Sequence, residues 1–398
     1  MSWEKVRLGD VTDSCLGKML DQEKNKGDYH PYLANVNVRW GSFDLEDLPQ
    51  MRFEDDEQER YGLKYGDLII CEGGEPGRCA IWKDTIPNMK IQKALHRVRV
   101  HDCLDYRYLF YWFLWTGKRG ALEQYFTGAT IKHMPGQKLK SVIIDKPPIK
   151  TQRRIADILS AYDDLIENNR KQIKLLEEAA RRLYKEWFVD LRFPGHEHTK
   201  IVNGVPEGWG IYRFSDKVDI MSGGTPKTDN SNYYNGTIPF YTPKDSDDAF
   251  FAFETITNIT EEGLNNCNSR LYPKNTVIIT ARGTVGKTTL LAVPMAMNQS
   301  CYALKSDNIK APYYLFFALN KEIASLKAMS NGGMFNTIIV KTFDSIHIAI
   351  PSNNLITSFE TLVTPIMEQI KTKTKEIFVL VEARDRLLPK LMSKEVEV

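Results

Sequence analysis

Two short segments of this 398-residue sequence have residue types that could bind phosphate or a metal ion. The stretch Ala281–Thr288 (ARGTVGKT) approaches the phosphate loop GxxxxGK[ST], whose backbone amides and lysine hold nucleotide phosphates. Ala281 replaces the first glycine of that pattern, and the matching segment Glu72–Arg78 contains two glutamates, which would repel a triphosphate. His196 and His198 alternate with Glu197 and lack the HExxH spacing of zinc enzymes. We therefore expect neither nucleotide hydrolysis nor a metal site.

The loops of DNA-modifying enzymes are also missing from the sequence. An adenine methyltransferase needs a short Asp/Asn-Pro-Pro-aromatic loop, but Pro147-Pro148 is flanked by Lys146 and Ile149. No set of carboxylates typical of a nuclease stands out either. The sequence thus predicts a chain without catalytic residues of its own, whose chemistry is supplied by a partner.

The elements that position these segments occur twice along the chain. Trp3–Asp10 returns 206 positions later as Trp209–Asp216, and Leu68-Ile69-Ile70 with its following glycines returns as Val277-Ile278-Ile279. Further matches continue in the same order to the end of the sequence, which predicts a tandem duplication. Each copy mixes short apolar runs with Gly, Pro and Asn and ends in a long helical segment, so the fold class is α+β.

The same pattern predicts the domain boundaries. We expect a first globular domain at residues 1–150 and a central helix at 151–192. A linker at 193–206 leads to a second globular domain at 207–352, and a C-terminal helix follows at 353–398.

The two helical segments carry apolar residues in a heptad pattern, which predicts a coiled coil. The seam of the first is Ile155, Leu159, Tyr162, Ile166, Asn169, Ile173, Leu176, Ala180, Leu183 and Trp187. The seam of the second is Phe359, Val363, Ile366, Ile370, Lys373, Ile377, Leu380, Arg384, Leu387 and Leu391. We expect the helices to pack antiparallel, with forty residues spanning about 60 Å. They are either an internal stalk or a spacer between two binding domains.

Two features of the helices bear on these alternatives. Asn169 and Lys373 occupy matching seam positions and are expected to fix the register of the pair. A second line of apolar residues, Ile158, Leu165 and Leu175, predicts that partner helices cover another face.

The overall charge conceals local sorting. With 53 basic and 51 acidic residues the net charge is +2, and the 42% hydrophobic content excludes a disordered chain. Asp44–Glu59 contains eight acids, whereas Gly263–Ser306 contains none. Acid-free stretches of this kind suit a basic face for DNA phosphates. Polar side chains that could contact bases accompany them: Asn268, Thr284, Asn298, Gln299, Asn331 and Asn336.

The start of the sequence lacks the apolar core of a signal peptide, and no apolar run approaches about 18 residues. The six cysteines form no CxxC pair. We therefore expect reduced thiols in a cytoplasm.

Several motifs together resemble the specificity (S) subunits of type I restriction–modification systems. They are the Trp-x-x-x-Arg-x-x-Asp opening of each copy, Pro206–Trp209, Gly66–Gly74, Ser222–Pro226, Thr151–Ser160 and Glu186–Glu197. The resemblance implies two target-recognition domains, each reading half of a bipartite, asymmetric site in double-stranded DNA, with the helices setting the unread spacing. It also implies two adenine-N6 methylation (M) subunits on the helices, restriction (R) subunits joining through them, and a prokaryotic cytoplasm. S-adenosylmethionine, Mg²⁺ and ATP would belong to the partners.

On this hypothesis the chain is a non-catalytic DNA-recognition and assembly subunit. The residues expected to contact DNA are Arg39, Trp40, Arg78, Lys90, Lys93, Thr225, Lys227, Lys244, Arg282, Lys287, Asn298 and Gln299. Gly74, Gly77, Gly283 and Gly286 are expected to let the backbone approach the duplex. A coiled-coil adaptor without specific DNA binding and a self-sufficient DNA-modifying enzyme remain alternatives.

Overall fold

The computed structural model describes residues 3–21, 25–306, 309–329 and 337–398. The first domain contains short elements, in the order β1 (Glu4–Arg7), β2 (Thr12–Leu16), β3 (Asp28–Leu33), β4 (Val38–Arg39), β5 (Ser42–Phe43), β6 (Gln50–Phe53), α1 (Gln58–Tyr61), β7 (Leu68–Cys71), β8 (Cys79–Ile81), β9 (Lys90–Ile91), β10 (Leu95–Val100), α2 (Tyr106–Lys118), α3 (Gly136–Lys140) and β11 (Ile143–Lys146). The long helix α4 (Ile149–Phe188) follows.

The second domain begins after α4 with a short hairpin, β12 (Ile201–Val202) and β13 (Val205–Pro206). Its further elements are β14 (Gly210–Arg213), β15 (Asp219–Ser222), β16 (Tyr234–Tyr241), β17 (Phe251–Ala252), β18 (Asn258–Ile259), α5 (Glu261–Asn265), β19 (Val277–Thr280), β20 (Thr288–Leu291), β21 (Ala296–Met297), β22 (Cys301–Lys305), α6 (Pro312–Met329), α7 (Val340–Ser345) and β23 (His347–Ile350). The long helix α8 (Asn353–Met392) ends the element order.

The sheets of the two domains share a strand order, which confirms the duplication. The order β2-β10-β7-β8 in the first domain corresponds to β15-β22-β19-β20 in the second, where β17 adds a fifth strand beside β20. The small sheet β6-β3-β9 likewise corresponds to β18-β16-β21, and the pair β1–β11 to β14–β23. The central strands β7 and β19 are fully buried, because apolar helices and loops cover both faces of each sheet.

The two long helices have 40 residues each, so each is about 60 Å long. α4 begins at Ile149, just before the predicted start at 151, and ends at Phe188, before the predicted end at 192. The predicted linker contains a helical turn at His196–His198 and both strands of the hairpin β12–β13.

The chain divides into two compact units, each containing one domain and parts of both long helices. The first unit comprises Met1–Asn168 and Ile377–Val398, and the second comprises Asn169–Glu376. Within the first unit, Ile155 and Leu159 of α4 share a core cluster with Leu388 and Leu391 of α8 and with helix α2. Part of each helix is therefore part of a domain core.

The second unit has the more aromatic core. Phe359 of α8 is fully buried among Tyr184, Trp187 and Phe188 of α4 and the aromatic residues of α6. Its ring centroid lies 5.1 Å from that of Phe188 and 6.1 Å from those of Tyr184 and Trp187. Aromatic pairs at these separations contribute packing beyond simple burial.

The helices run antiparallel within each unit, as predicted. In the first unit Asp163 forms an ion pair with Arg384 and Ile155 packs in one cluster with Leu391. In the second unit Asn169 donates a hydrogen bond of 3.0 Å to Glu376. Every predicted seam residue is buried or half-buried.

Polar groups stand at several seam positions, and each is paired. Arg384 is held by Asp163, which also accepts a hydrogen bond of 2.6 Å from the hydroxyl of Tyr111. Lys373 lies 3.0 Å from the same Glu376 that accepts the Asn169 bond. Because an unpaired polar group is costly in a helix seam, these pairs favour the observed register within each unit.

Two different side chains join the long helices to the domains. In the first unit the buried Gln152 of α4 accepts a bond of 2.8 Å from the amide of Asp105 and donates one of 2.8 Å to the carbonyl of Pro147. Asp105 in turn caps the first turn of α2. In the second unit the residue before α6 is Ala311, which cannot cap, and Glu360 of α8 accepts a bond of 2.8 Å from the Tyr314 amide instead.

Glu360 makes the stability of the second unit depend on pH. Burial raises the pKa of its carboxyl group to about 7, although backbone hydrogen bonds from Tyr313 and Tyr314 favour the charged carboxylate. The folded state therefore binds this proton more tightly than the unfolded state, and the resulting stabilisation is lost as pH rises from about 4.5 through 7.

We expect Glu360→Gln to raise the free energy of unfolding at pH 8 by roughly 1–3 kcal/mol, because glutamine keeps the acceptor and removes the buried charge. At pH 5 the two proteins should differ little. Urea denaturation at both pH values measures this, and an effect of equal size at both would contradict the assignment.

Candidate nucleic-acid interface

Loops at one end of the main sheet carry most of the predicted residues of the second domain. β15 ends at Ser222, β19 ends at Thr280 and β22 begins at Cys301. Because these strands are antiparallel, their connecting loops lie at the same end of the sheet. The loop after β16 joins them, because Thr284 donates a hydrogen bond of 3.3 Å to the carbonyl of Pro243.

Side-chain contacts bring the predicted residues of these loops together. The hydroxyl of Thr225 donates a hydrogen bond to the amide oxygen of Gln299. The exposed residues of this loop surface are Thr225, Lys227, Lys244, Arg282 and Gln299, and Asn298 is half-buried. Asn331 and Asn336 lie outside the described residues. We call this set of six residues the second loop surface.

The cations of the second loop surface point to a ligand with negative charge. Within the described part of the chain, Lys227, Lys244 and Arg282 form no ion pair, although ion pairs hold many other basic side chains. An unpaired, exposed group of cations on neighbouring loops attracts phosphate.

Asn298 has a structural role as well. Its amide oxygen accepts a bond of 3.0 Å from the backbone of Ser300, and its own backbone donates one of 3.0 Å to Tyr241. The loop that presents Gln299 is therefore fixed on both sides.

The first domain places an equivalent set of loops at the same end of its sheet. Lys93 is exposed, and its backbone donates a bond of 2.8 Å to Lys18 in the loop after β2. Asn35, in the loop after β3, donates a bond of 2.7 Å to the carbonyl of Gly73. Arg39 is about half exposed and lies 3.8 Å from Asp44. Arg39, Lys93 and Gly74 form what we call the first loop surface.

Arg78 and Trp40 hold these loops in place. The guanidinium of Arg78 is only 18% exposed, donates a bond of 2.8 Å to Asn35 and pairs with Glu75 at 3.1 Å. The indole of Trp40 donates a bond of 2.7 Å to Glu75. Both residues lie in the predicted loop region, with their polar groups directed to neighbouring protein atoms.

Two predicted lysines lie outside the loop surfaces. Lys90 is only 4% exposed, and burial lowers the pKa of its ammonium group, so this side chain packs within the domain. Lys287 forms an ion pair of 2.5 Å with Asp248 and lines a cavity with Tyr184 of α4 and Phe317 of α6. The acid-free stretches identified these lysines, but charge along the sequence does not show which basic side chains are buried or paired within the domain.

The four predicted glycines divide into two pairs. Gly74 and Gly283 are exposed at turns, with φ values of 73° and 77° that favour glycine. Gly77 and Gly286 are buried within the domain, and their approach to DNA stays a prediction. A Cβ on Gly77 would lie 2.7 Å from Leu122, and one on Gly286 would lie 2.9 Å from Lys327, so both allow close packing inside the domain.

Gln92 of the first domain is absent from the predicted DNA-contacting residues, although it is the counterpart of Asn298. A Cβ on Gly17 would lie 2.4 Å from the carbonyl oxygen of Gln92, and one on Gly223 would lie 2.3 Å from that of Asn298. Gln92 is thus the counterpart of Asn298, at the same offset of 206 that relates Trp3 to Trp209. Extending the alignment of the copies along these loops would have identified it.

The long helices leave large apolar side chains at the surface. On α4, Leu165 and Leu175 are 52% and 68% exposed, and on α8, Leu362 and Val379 are 52% and 65% exposed. Leu175 and Val379 occupy equivalent positions in the two copies, 204 residues apart. Of the predicted second apolar line only Ile158 is half-buried.

None of the helices within the described residues has the length and apolar character needed to cross a membrane.

Known proteins are similar to this chain over much of its length. The family model described as "Type I restriction modification DNA specificity domain" matches the chain twice, at residues 1–178 and 206–373. The chain is 27% identical over 341 residues to the type I restriction enzyme MjaIX specificity subunit of Methanocaldococcus jannaschii, covering 84% of this chain and 78% of that protein. It is 25% identical over 329 residues to the HindI specificity subunit of Haemophilus influenzae, covering 67% and 72%.

A solved structure is similar over nearly the whole chain. The S subunit of a type I restriction–modification system from M. genitalium matches with a TM-score of 0.60 at 18% identity, covering 98% of this chain and 96% of that chain. This likeness concerns the fold, and it confirms the predicted α+β class with two related domains and two long helices. Because the family model matches both copies, the chain belongs to the type I restriction–modification DNA specificity family.

Proposed function

We propose that this chain is the DNA-recognition and assembly subunit of a type I restriction–modification complex. The observation that carries the proposal is the duplicated loop surface, which stands at the same end of the same sheet in both domains. Two related surfaces in one chain suit two separate half-sites in double-stranded DNA. Since the surfaces differ in sequence, the half-sites they read are expected to differ, which makes the site asymmetric.

The chemistry of the two loop surfaces supports direct contact with DNA. Lysine and arginine bind phosphates, arginine pairs with guanine, and glutamine or asparagine pairs with adenine. The second surface combines Lys227, Lys244 and Arg282 with Gln299 and Asn298, so it holds both phosphate-binding and base-reading groups. The length of α4 and α8 then sets the number of base pairs left unread between the half-sites.

The incomplete phosphate loop gives no support to an enzyme. A phosphate-binding loop leads from a strand into a helix, whose N-terminus receives the phosphates. Here the segment 281–287 joins the paired strands β19 and β20 as a hairpin. We propose that S-adenosylmethionine, Mg²⁺ and ATP are bound by the partner subunits and that this chain is not catalytic.

The removal of two cations tests DNA binding. We expect Lys244→Gln with Arg282→Gln to weaken DNA binding by the assembled complex and to reduce the slope of log affinity against log salt by about 2, since each phosphate contact contributes about 0.9.

Lys274→Gln with Lys310→Gln is the matched control. Both lysines are exposed near the opposite end of the same sheet, and their removal changes the net charge equally. An equal reduction of the salt slope in both double variants would show a general charge effect and contradict the loop surface.

Equivalent apolar positions on the two helices support the proposal that two copies of one partner bind this chain. Leu175 and Val379 are both large, apolar and about two-thirds exposed, which a stable complex would cover. We propose that each position contacts one methylation subunit, and that restriction subunits join through these.

Native mass spectrometry of the complex is expected to show two methylation subunits per chain. Leu175→Asp with Val379→Asp should lower the affinity for these subunits at least tenfold, because the aspartates would have to be desolvated. Ile256→Asp, at a 76% exposed isoleucine of the second domain, is the control and should leave assembly unchanged. A complex with full affinity in the double variant would contradict this interface.

A further inference from the structure

A cavity of about 690 Å³ lies beside Trp3 in the first unit. Its walls come from the Pro147-Pro148 segment before α4, from Ile149 and Ile155, from Leu391 near the end of α8, and from residues 394 and 396–398, which follow α8. The floor is therefore largely apolar. Glu4 and Lys146, which form an ion pair of 2.8 Å, stand at the same cavity and give it a polar border.

The second unit shows what the equivalent position holds. Trp209 corresponds to Trp3, and the ring of Phe193 lies against it with 5.5 Å between centroids. Phe193 is only 6% exposed, and it is followed by Pro194 in the segment that leaves α4. In this copy, an aromatic side chain followed by proline therefore packs beside the tryptophan.

The chain leaves both helices in the same way. After α4 the amide of Arg192 donates a bond of 2.8 Å to the carbonyl of Glu186, and after α8 the amide of Val396 donates one of 3.2 Å to Lys390. These two bonds are equivalent at the offset of 204. The segment after α8 is thus guided past Trp3 as the segment after α4 is guided past Trp209.

The residues that reach the two positions differ in chemistry. Glu397 and Val398 stand where Phe193 and Pro194 stand in the other copy, and both are exposed. The ammonium group of Lys394 lies 4.6 Å from the centroid of the Trp3 ring. Glu397 and Val398 line the cavity beside Trp3 without placing an aromatic ring in it, whereas Phe193 packs against Trp209 in the other copy.

We propose that the cavity beside Trp3 is a docking site for a segment of a partner protein that presents an aromatic side chain followed by proline. The ring packs against Trp3 and Leu391, the proline continues along Pro147-Pro148, and the ion pair at the border faces the backbone of the segment. The occupant is defined by the chain's own Phe193-Pro194, which packs at the equivalent place. This inference concerns the first unit alone and does not depend on DNA binding.

A peptide that copies residues 189–199, with a fluorophore at its N-terminus, is the probe. Its binding to the full chain is followed by fluorescence anisotropy, and a second version carries Phe193→Ala. The alanine peptide is expected to bind at least tenfold more weakly, because a fully buried phenylalanine side chain contributes that much or more. Equal binding of the two peptides, or no binding of either at millimolar concentration, would overturn the proposal.

Two protein variants locate the site. Thr151→Trp, at a residue that lines the cavity, fills the space and should weaken peptide binding at least tenfold. Thr357→Trp introduces the same change at an exposed position of α8 and should leave binding unchanged. A photoreactive phenylalanine at the Phe193 position of the peptide should cross-link to Trp3 or Leu391, and cross-links confined to Trp209 would overturn the assignment.

Discussion

We expect Phe359→Ala to lower the free energy of unfolding of the second unit by roughly 3–5 kcal/mol, the range typical of a fully buried phenylalanine. The Phe359 ring is 0% exposed and lies among aromatic residues of α4 and α6. Besides the three α4 rings, its centroid lies 6.5 Å from that of Tyr314 and 6.4 Å from that of Phe317. Truncation to alanine removes these contacts at once and leaves a cavity that rigid aromatic neighbours cannot close.

The effect is expected to reach function, because Phe359 packs with residues that hold the sheet of the second domain. Val277 and Ile279 of β19 and Leu304 of β22, two strands of the main sheet, belong to the same core cluster as Phe359. A weakened core loosens the strands whose ends carry the second loop surface. We therefore expect binding to the second half-site to be lost before binding to the first.

Phe378→Ala is the matched control, since this phenylalanine of α8 is 40% exposed. It should lower the free energy of unfolding by clearly less than Phe359→Ala does, by about 1–2 kcal/mol, because this partly exposed side chain gains only part of its transfer free energy on folding. Urea denaturation followed by tryptophan fluorescence measures both. Equal losses in the two variants would contradict the central place of Phe359 in the core.

The sequence predicted the architecture well because duplication and heptad spacing are patterns of residue type. Matches such as Trp3 with Trp209 follow the same order as the strands, so the same topology in both domains was expected. The seam from Ile155 to Trp187 could likewise be identified, because a helix places residues three and four apart on one face. Residue type and spacing along the chain are therefore enough to predict these features.

The loop surfaces were predicted less completely, because the burial of a charged side chain depends on tertiary packing. Lys90 and Lys93 stand three residues apart in an acid-free stretch, yet the first is buried in a strand and the second is exposed in the following loop. Gly77 and Gly286 resemble the exposed glycines of the same turns, but they pack against Leu122 and against Lys327 and Ile323. No local pattern separates these cases.

The attachment of the long helices to the domains also required the structure. Gln152 belongs to a motif of the first helix, and its three hydrogen bonds explain that motif physically. The equivalent residue in the second copy is Ile356, which is buried and apolar. Glu360, one turn further along α8, takes over the polar connection, and no spacing rule predicts such an exchange.

The exchange of one domain is the most direct test of the claim that each domain reads one half-site. Residues 1–148, which end just before α4, would be replaced by the corresponding residues of a family member with a different site. Co-expression with the methylation subunits and mapping of methylated adenines across the host genome then identifies both half-sites. We predict that one half-site changes, while the other half-site and the spacing between them stay the same. A change in both half-sites, or in neither, would contradict the account.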